Sequence, residues 1–444
     1  MKKFSYKEAS GYLDKCLIFG IKPGLERIRK LLKLLGEPQK KTEFIHIVGS
    51  NGKTSTAVMT AVMLYGQGLR SAYHISPHIN EYTERFWFCG SNITEGRFAM
   101  LFSSIYPAIE RVNSMDIGGE MTQFEIISAM GFALAAQENI DVMVLEAGLG
   151  GRWDATNAAD AIVAGLTGVS LEHTAILGNT INEIATEKAQ VIKTHSKVAT
   201  ASSDEKVLKV LKDRAAETHS ELFIYGKDFF IQEKQKIYLE GWKVDIKGIK
   251  DSYKGLFIPL YGNYQPVNLS LSVALSELYM EHARKRIDKK KLSGSLSAIK
   301  VPGRFEVLQR EPVVIADTSH NPEGIANFVR NILENFEGKK KIIIFSVLSD
   351  KDYRTMLAGI LKISDTIILT SSNTARSLPV EILEKELYKL LRPGNETGQA
   401  GPQEIYKIDT ISNSLNFALK ISGSDDIICI TGSITNLEDI VQED

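Results

Sequence analysis

A glycine-rich turn set between an apolar run and a helical run carries the first recognisable chemistry in this chain. Gly49, Ser50, Asn51 and Gly52 lead into Lys53, Thr54 and Ser55. Glycines let main-chain amides crowd around a phosphate, and a helix N-terminus adds its dipole. A lysine neutralises the terminal phosphates, and a threonine hydroxyl can reach magnesium. Only Ser50 and Asn51 separate the two glycines, so the loop is a contracted form of the general phosphate-loop pattern. A Gly-Lys-Thr triplet alone also suits an ordinary turn. The strand Phe44–Val48 before it and the apolar helix Thr54–Tyr65 after it favour phosphate binding.

A second constellation closes another apolar run. Val142–Leu145 ends in Glu146, followed by Gly148, Gly150, Gly151, Arg152, Trp153 and Asp154. Ligands of open α/β sheets bind beyond the carboxyl ends of strands, which places Glu146 where a carboxylate would hold the metal of a bound nucleotide. His173 follows the run Ala161–Thr167 in the same way, although a lone histidine is more often structural. Thr180 and Glu183 form a capping box that opens a helix expected over Ile181–Lys193. On it Ile184, Lys188, Val191 and Ile192 share one apolar stripe, with Glu183, Glu187 and Gln190 toward solvent. A lysine on the inward face must meet an anion, lose its proton or be modified, unless it snorkels out along the stripe edge.

The elements that must position these groups alternate between short β-rich runs and helical patterns. One series runs from Phe44 to Ala201. A second runs through Val313–Ala316, Lys341–Val347, Thr366–Thr370 and Asp426–Thr431. Such alternation implies parallel sheets with crossover helices. The expected fold is α/β in two domains: a P-loop-type N-terminal ATPase domain over 1–299 with a parallel-rich sheet, and a smaller Rossmann-like α/β domain over 300–444. The junction is placed after the basic stretch Arg284–Lys291, read as a solvated helix face, and near the break at Pro302 and Gly303. Residues 221–258 read as antiparallel hairpins inserted late in the first domain.

With 444 residues the chain exceeds one ordinary core. Its net charge of −1 gives no electrostatic reason to expect nucleic acid or a membrane surface. Cys16, Cys89 and Cys429 form no CxxC pair, which fits a reducing cytoplasm and suggests no zinc site. No apolar run approaches the length that spans a bilayer, and the N-terminus has no signal-peptide core.

Taken together, the motifs resemble the folylpolyglutamate synthase/dihydrofolate synthase family within the Mur-type ligases, in order along nearly the whole chain. Besides the two constellations, the likeness is carried by Gly24 to Arg27, by Ser76, Pro77 and His78, by Glu84 and Arg85, and by Phe124 and Glu125. Farther on it continues through Glu187 to Ala189, Gly262 to Gln265, Pro302 to Arg304, Asp317 to Pro322, and Lys351 with Asp352. The resemblance implies ATP as cosubstrate, two Mg²⁺ ions held by Thr54, Ser76, Glu146, His173 and a carbamylated Lys188, and catalytic roles for Lys53, Glu146, His173, Lys188 and His320. It implies Asn263, Arg304 and Asp317 closing on ATP and glutamate, a pterin pocket at Thr122, Phe124, Asp154 and Ala155, and a monomer. The chain departs from the family pattern at Ser50, Thr54, Trp153, Tyr264, Thr318 and Ser319.

The implied reaction joins L-glutamate to a folate-type carboxylate, tetrahydrofolate or dihydropteroate, through an acyl phosphate. One rival is a Mur ligase for another acceptor; those enzymes carry a nucleotide-sugar domain before the loop, and only 48 residues precede Gly49. The other is a catalytically inactive nucleotide-binding homologue, against which the retention of Lys53, Glu146, His173 and Lys188 argues.

Overall fold

Strands buried on both faces form the centre of the two larger sheets, as parallel sheets covered by helices require. The computed structural model describes residues 2–20, 22–115, 117–392 and 402–441. The chain divides into two units: Met1–Gln235, Trp242–Pro259 and Tyr264–Ile299 in the first, and Lys236–Gly241, Leu260–Asn263 and Lys300–Asp444 in the second.

The first unit holds an eight-stranded sheet made of β1 (Glu43–Val48), β2 (Ser71–His74), β3 (Phe86–Phe88), β4 (Ser91–Asn92), β5 (Val142–Glu146), β6 (Val163–Leu166), β7 (Lys197–Thr200) and β8 (Glu221–Ile224). Its order is β4-β3-β2-β5-β1-β6-β7-β8. β3 pairs antiparallel with β2 and β4, and every other pairing is parallel. One face packs on a core that includes Phe44, Phe132 and Met143; the other packs on Val48, Ala164, Val198 and Leu211. In the register Ile47 stands beside Glu146 and Val48 beside Leu166, so three carboxyl ends open at the same edge.

A three-stranded sheet follows, β9 (Phe230–Ile237), β10 (Gly241–Lys247) and β11 (Ser252–Ile258), in the order β11-β10-β9. Its β10–β11 turn is clasped by Glu277, whose carboxylate accepts from the amides of Ile249 at 2.6 Å and Asp251 at 3.0 Å and from the Tyr253 hydroxyl at 2.9 Å. The second unit holds six strands: β12 (Glu306–Arg310), β13 (Val313–Ala316), β14 (Lys341–Phe345), β15 (Thr366–Leu369), β16 (Glu404–Lys407) and β17 (Ile427–Thr431), in the order β12-β13-β17-β14-β15-β16. Only the edge strand β12 runs antiparallel to its neighbour.

Three expectations change. The helix from Ile181 ends at Lys188 and tightens into a 3₁₀ turn over Ala189–Val191. The Glu187 carbonyl turns to the amide of Arg152 at 3.0 Å, so the glycine loop takes the place of another helical turn. The basic stretch 284–291 is a turn that enters the helix Lys289–Leu296 only at its end, because Asp288 caps that helix. β8 is no hairpin strand: the helix Glu205–Glu217 carries the chain across and lays it parallel to β7. Among the described residues no helix is long and apolar enough to cross a membrane.

Candidate active site

The glycine turn after β1 is held open by its neighbours. Gly49 has φ 148°, and a Cβ there would stand 1.9 Å from Thr167 Oγ1. Ser50 N donates to the Gly168 carbonyl at 2.8 Å, and Thr167 Oγ1 donates to the Asn51 carbonyl at 2.6 Å. The turn is thus pinned to the segment after β6. Gly52, at φ 85°, is the N-cap of the helix Lys53–Gly66, which has no side-chain cap. Its first amides are therefore not claimed by a capping residue, the arrangement an anion needs. Lys53 Nζ bonds the carbonyls of Gly49 and Ser50, each at 2.9 Å. Ser55 is fully buried, its hydroxyl accepting from Gln265 Nε2 at 3.2 Å, so only its main chain can serve a phosphate.

Glu146, 2% exposed, ends β5 between two partners. Thr54 Oγ1 donates to its Oε1 at 3.0 Å, and the amide of Ser76 donates to its Oε2 at 3.2 Å. Among the described residues no three His, Cys, Asp or Glu side chains gather as a metal site. Magnesium does not require one: it takes hard oxygen donors, one or two carboxylates with hydroxyls, water and substrate phosphates. A carboxylate flanked by Thr54 and Ser76 beside a phosphate loop fits that ion.

His173 is exposed at φ 47° and opens the short helix Thr174–Leu177. Lys188 is buried to 2%, and its Nζ meets Glu172 Oε1 at 2.8 Å and the Gly49 carbonyl at 3.0 Å. Burial lowers the Lys188 pKa, while Glu172 pulls it back up. Burial alone would raise Glu172, but Lys188 and Lys53 overrule it and bring it down to about 2. Glu172 was missed as a candidate because nothing in its spacing separates it from a solvated loop carboxylate. Its one signal was its place immediately before His173.

The expected acceptor residues surround the second glycine loop. Thr122 caps the helix Gln123–Gln137 in a box with Glu125, and Glu125 is locked to Arg27 at 3.0 Å. Phe124 lies over Gly148, where a Cβ would come within 2.7 Å of its ring. Asp154 and Ala155 are buried. The Asp154 carboxylate accepts from the amides of Leu149 at 2.7 Å and Thr156 at 2.9 Å, and from the Thr156 hydroxyl, which also meets His46 Nε2 at 2.8 Å. Burial pushes Asp154 up, and these hydrogen bonds oppose it. Trp153 stands half exposed beside it.

The remaining candidates belong to the second unit. Asn263 N donates to Asn331 Oδ1 at 2.6 Å, and its side chain meets Lys236 and Glu334. Arg304 bonds the Thr318 hydroxyl. Asp317, raised by burial, accepts from the amides of Phe305 and Ser319 at 2.9 Å. His320 Nδ1 lies 2.9 Å from the Thr318 carbonyl, just before Asn321 caps the helix Pro322–Asn335.

The Mur ligase middle domain matches residues 47–276, and the Mur ligase glutamate ligase domain matches 303–434. The dihydrofolate synthase/folylpolyglutamate synthase of Bacillus subtilis is 30% identical over 98% of both chains. The protein of the same name from Mycobacterium tuberculosis is 31% identical over 82% of this chain and 77% of its own. The chain belongs to the folylpolyglutamate synthase/dihydrofolate synthase family. The structure of Mycobacterium tuberculosis folylpolyglutamate synthase complexed with ADP superimposes with a TM-score of 0.90 at 28% identity, covering 98% of this chain and 97% of that one. Both units therefore carry the fold of a Mur-type ligase, and the protein is an ATP-dependent ligase.

Proposed function

We propose that the protein adds L-glutamate to the free carboxylate of a folate-type acceptor, either dihydropteroate or a reduced folate. The observation that carries this reading is Glu146, bonded on one oxygen to the phosphate-loop Thr54 and on the other to Ser76. In the reaction an acceptor carboxylate oxygen attacks the γ-phosphorus of ATP, the bond to the β-phosphate oxygen breaks, and ADP leaves. The glutamate amine then attacks the acyl carbon, phosphate departs with the C–O bond electrons, and the amine loses a proton to give the amide.

Charge grows on the phosphoryl oxygens, and preorganised groups stabilise it best. Lys53 is poised to exchange its two carbonyls for phosphate oxygens. Thr54, Ser76, Glu146, His173 and a carbamylated Lys188 would hold two magnesium ions, which would supply counter-charge there. We assign Thr122, Phe124, Asp154 and Ala155 to the pterin, and Asn263, Arg304, Asp317 and His320 to nucleotide and glutamate. The three free cysteines suit a reducing cytoplasm, where we place the protein as a monomer.

Incorporation of labelled glutamate, with dihydropteroate and tetrahydrofolate offered separately, tests the proposal. Product with at least one acceptor is expected. ATP turnover with neither acceptor extended would overturn it, and extension of tetrahydrofolate alone would remove the dihydropteroate half.

A further inference from the structure

Arg85 has no part in the roles assigned so far, yet it is built into the same edge of the sheet. It sits immediately before β3, and its carbonyl accepts from the Ile75 amide at 3.1 Å, one residue before Ser76. Its side chain is only 6% exposed. Nε donates to His78 Nδ1 at 2.7 Å, and the guanidinium lies over the Tyr82 ring, 5.4 Å from its centroid. Among the described residues neither Nη atom donates to a protein acceptor and no carboxylate lies at ion-pair distance, so the fork keeps only the small surface left to Arg85.

The carboxylates that act on it from farther off are Glu146, Glu84 and Asp14. Glu84 is occupied by the amides of Ile79, Asn80 and Glu81, each at 2.8 Å. Asp14 accepts from the Tyr82 hydroxyl at 2.6 Å, and Glu146 is shared by Thr54 and Ser76. A guanidinium out of water is expensive unless an anion pairs with it. Among the described residues no such anion pairs with Arg85.

Sheet order indicates which anion it is. β5, carrying Glu146, lies between β1, which leads to the phosphate loop, and β2, which leads to Ser76 and pairs with β3. Arg85 therefore stands across β2 and β5 from the loop proposed for the nucleotide phosphates, on the Oε2 side of Glu146. An in-line displacement puts the nucleophile on the far side of the γ-phosphate from its leaving group, so an acceptor carboxylate needs a cationic partner away from the phosphate loop. A planar guanidinium fork matches a carboxylate or an acyl phosphate with two parallel hydrogen bonds. We propose that the Nη fork of Arg85 binds the acceptor carboxylate about to be phosphorylated and holds the acyl phosphate it becomes. The assignment rests on the proposed folate-type acceptor.

The test is calorimetric titration, with a non-hydrolysable ATP analogue and magnesium present, of two probes: dihydropteroate and its carboxamide counterpart. The wild type should prefer the carboxylate by about ten-fold or more, the scale of a charged hydrogen bond. In Arg85→Gln the ratio should fall toward one with affinity for the ATP analogue unchanged, and Arg85→Lys should keep part of the preference. If Arg85→Gln does not fold, Arg85→Lys is read by the same ratio. A variant with the full wild-type preference overturns the assignment alone. So does lost nucleotide affinity with the preference intact, which would give the fork to ATP. A wild type that binds neither probe overturns the acceptor reading, and this assignment with it.

Discussion

Lys188 Nζ lies 2.8 Å from Glu172 Oε1 and 3.0 Å from the Gly49 carbonyl, so one buried ammonium ties the loop after β6 to the phosphate loop. Carbamylation would turn that cation into an anion, and Glu172 would then have to leave it. Lys188→Ala is expected to lose ligation about a hundredfold or more while still binding ATP, with partial rescue by a small carboxylic acid. Lys188→Arg, which cannot form the same carbamate, should not be rescued. Full activity in Lys188→Arg would show that a plain cation suffices.

The same pair carries a pH signature. Glu172 is brought from 4.5 to about 2 in the folded state. A depressed carboxyl stabilises the fold above its unfolded pKa, and that contribution disappears as the pH falls from 4.5 through about 2. Unfolding free energies from urea titrations across this window should drop less steeply in Glu172→Gln than in the wild type, by on the order of 2 kcal/mol in total. Parallel curves would mean that the pair is not charged in solution.

Lys53→Ala and Glu146→Gln should each fold normally yet lose turnover by about two to three orders of magnitude, as when one preorganised group is removed from a charge-developing site. Initial rates under saturating ATP, glutamate and acceptor measure this. Near-wild-type turnover in either variant removes that residue from the mechanism.

Gly49→Ala places a methyl 1.9 Å from Thr167 Oγ1 at a φ of 148°. The loop must move, and ADP affinity should fall sharply. Gly52→Ala meets the Asn268 side chain at 2.6 Å, a softer obstacle, and should lose less. Equal ADP affinities for both variants and the wild type would contradict the pinned-loop geometry.

Arg27→Ala strands the Glu125 carboxylate, which is buried and also caps the helix at Thr122. Removing one partner of a buried pair costs about 3–5 kcal/mol, so a clear fall in thermal stability is expected. Acceptor affinity should fall with it, because Thr122 lies at the proposed pterin pocket. An unchanged melting temperature would show that Glu125 finds another partner or a proton.

Much of the site was legible in the sequence because its chemistry is local. Gly49 through Thr54 stand out as a candidate phosphate loop by their spacing, and Glu146 stands out as a candidate metal ligand by ending an apolar run. The buried runs of β1, β5, β14 and β17 named themselves as central strands, since a strand covered on both faces has no polar alternation to hide it. The inward place of Lys188 was readable from helical periodicity, although the helix ends there. Its end depends on Arg152 taking the Glu187 carbonyl, a long-range contact that no local pattern encodes.

Tertiary structure alone decided the partners. Glu172 meets Lys188 across 16 residues, Thr54 meets Glu146 across 92, and Arg27 meets Glu125 across 98. The order of β2, β5, β1 and β6 brings such distant segments to one edge. A buried charge is tolerable only where the fold delivers its counter-charge, so the sequence determined which groups are candidates for the chemistry, and packing of the sheet decided which of them are paired and that Arg85 meets no carboxylate among the described residues.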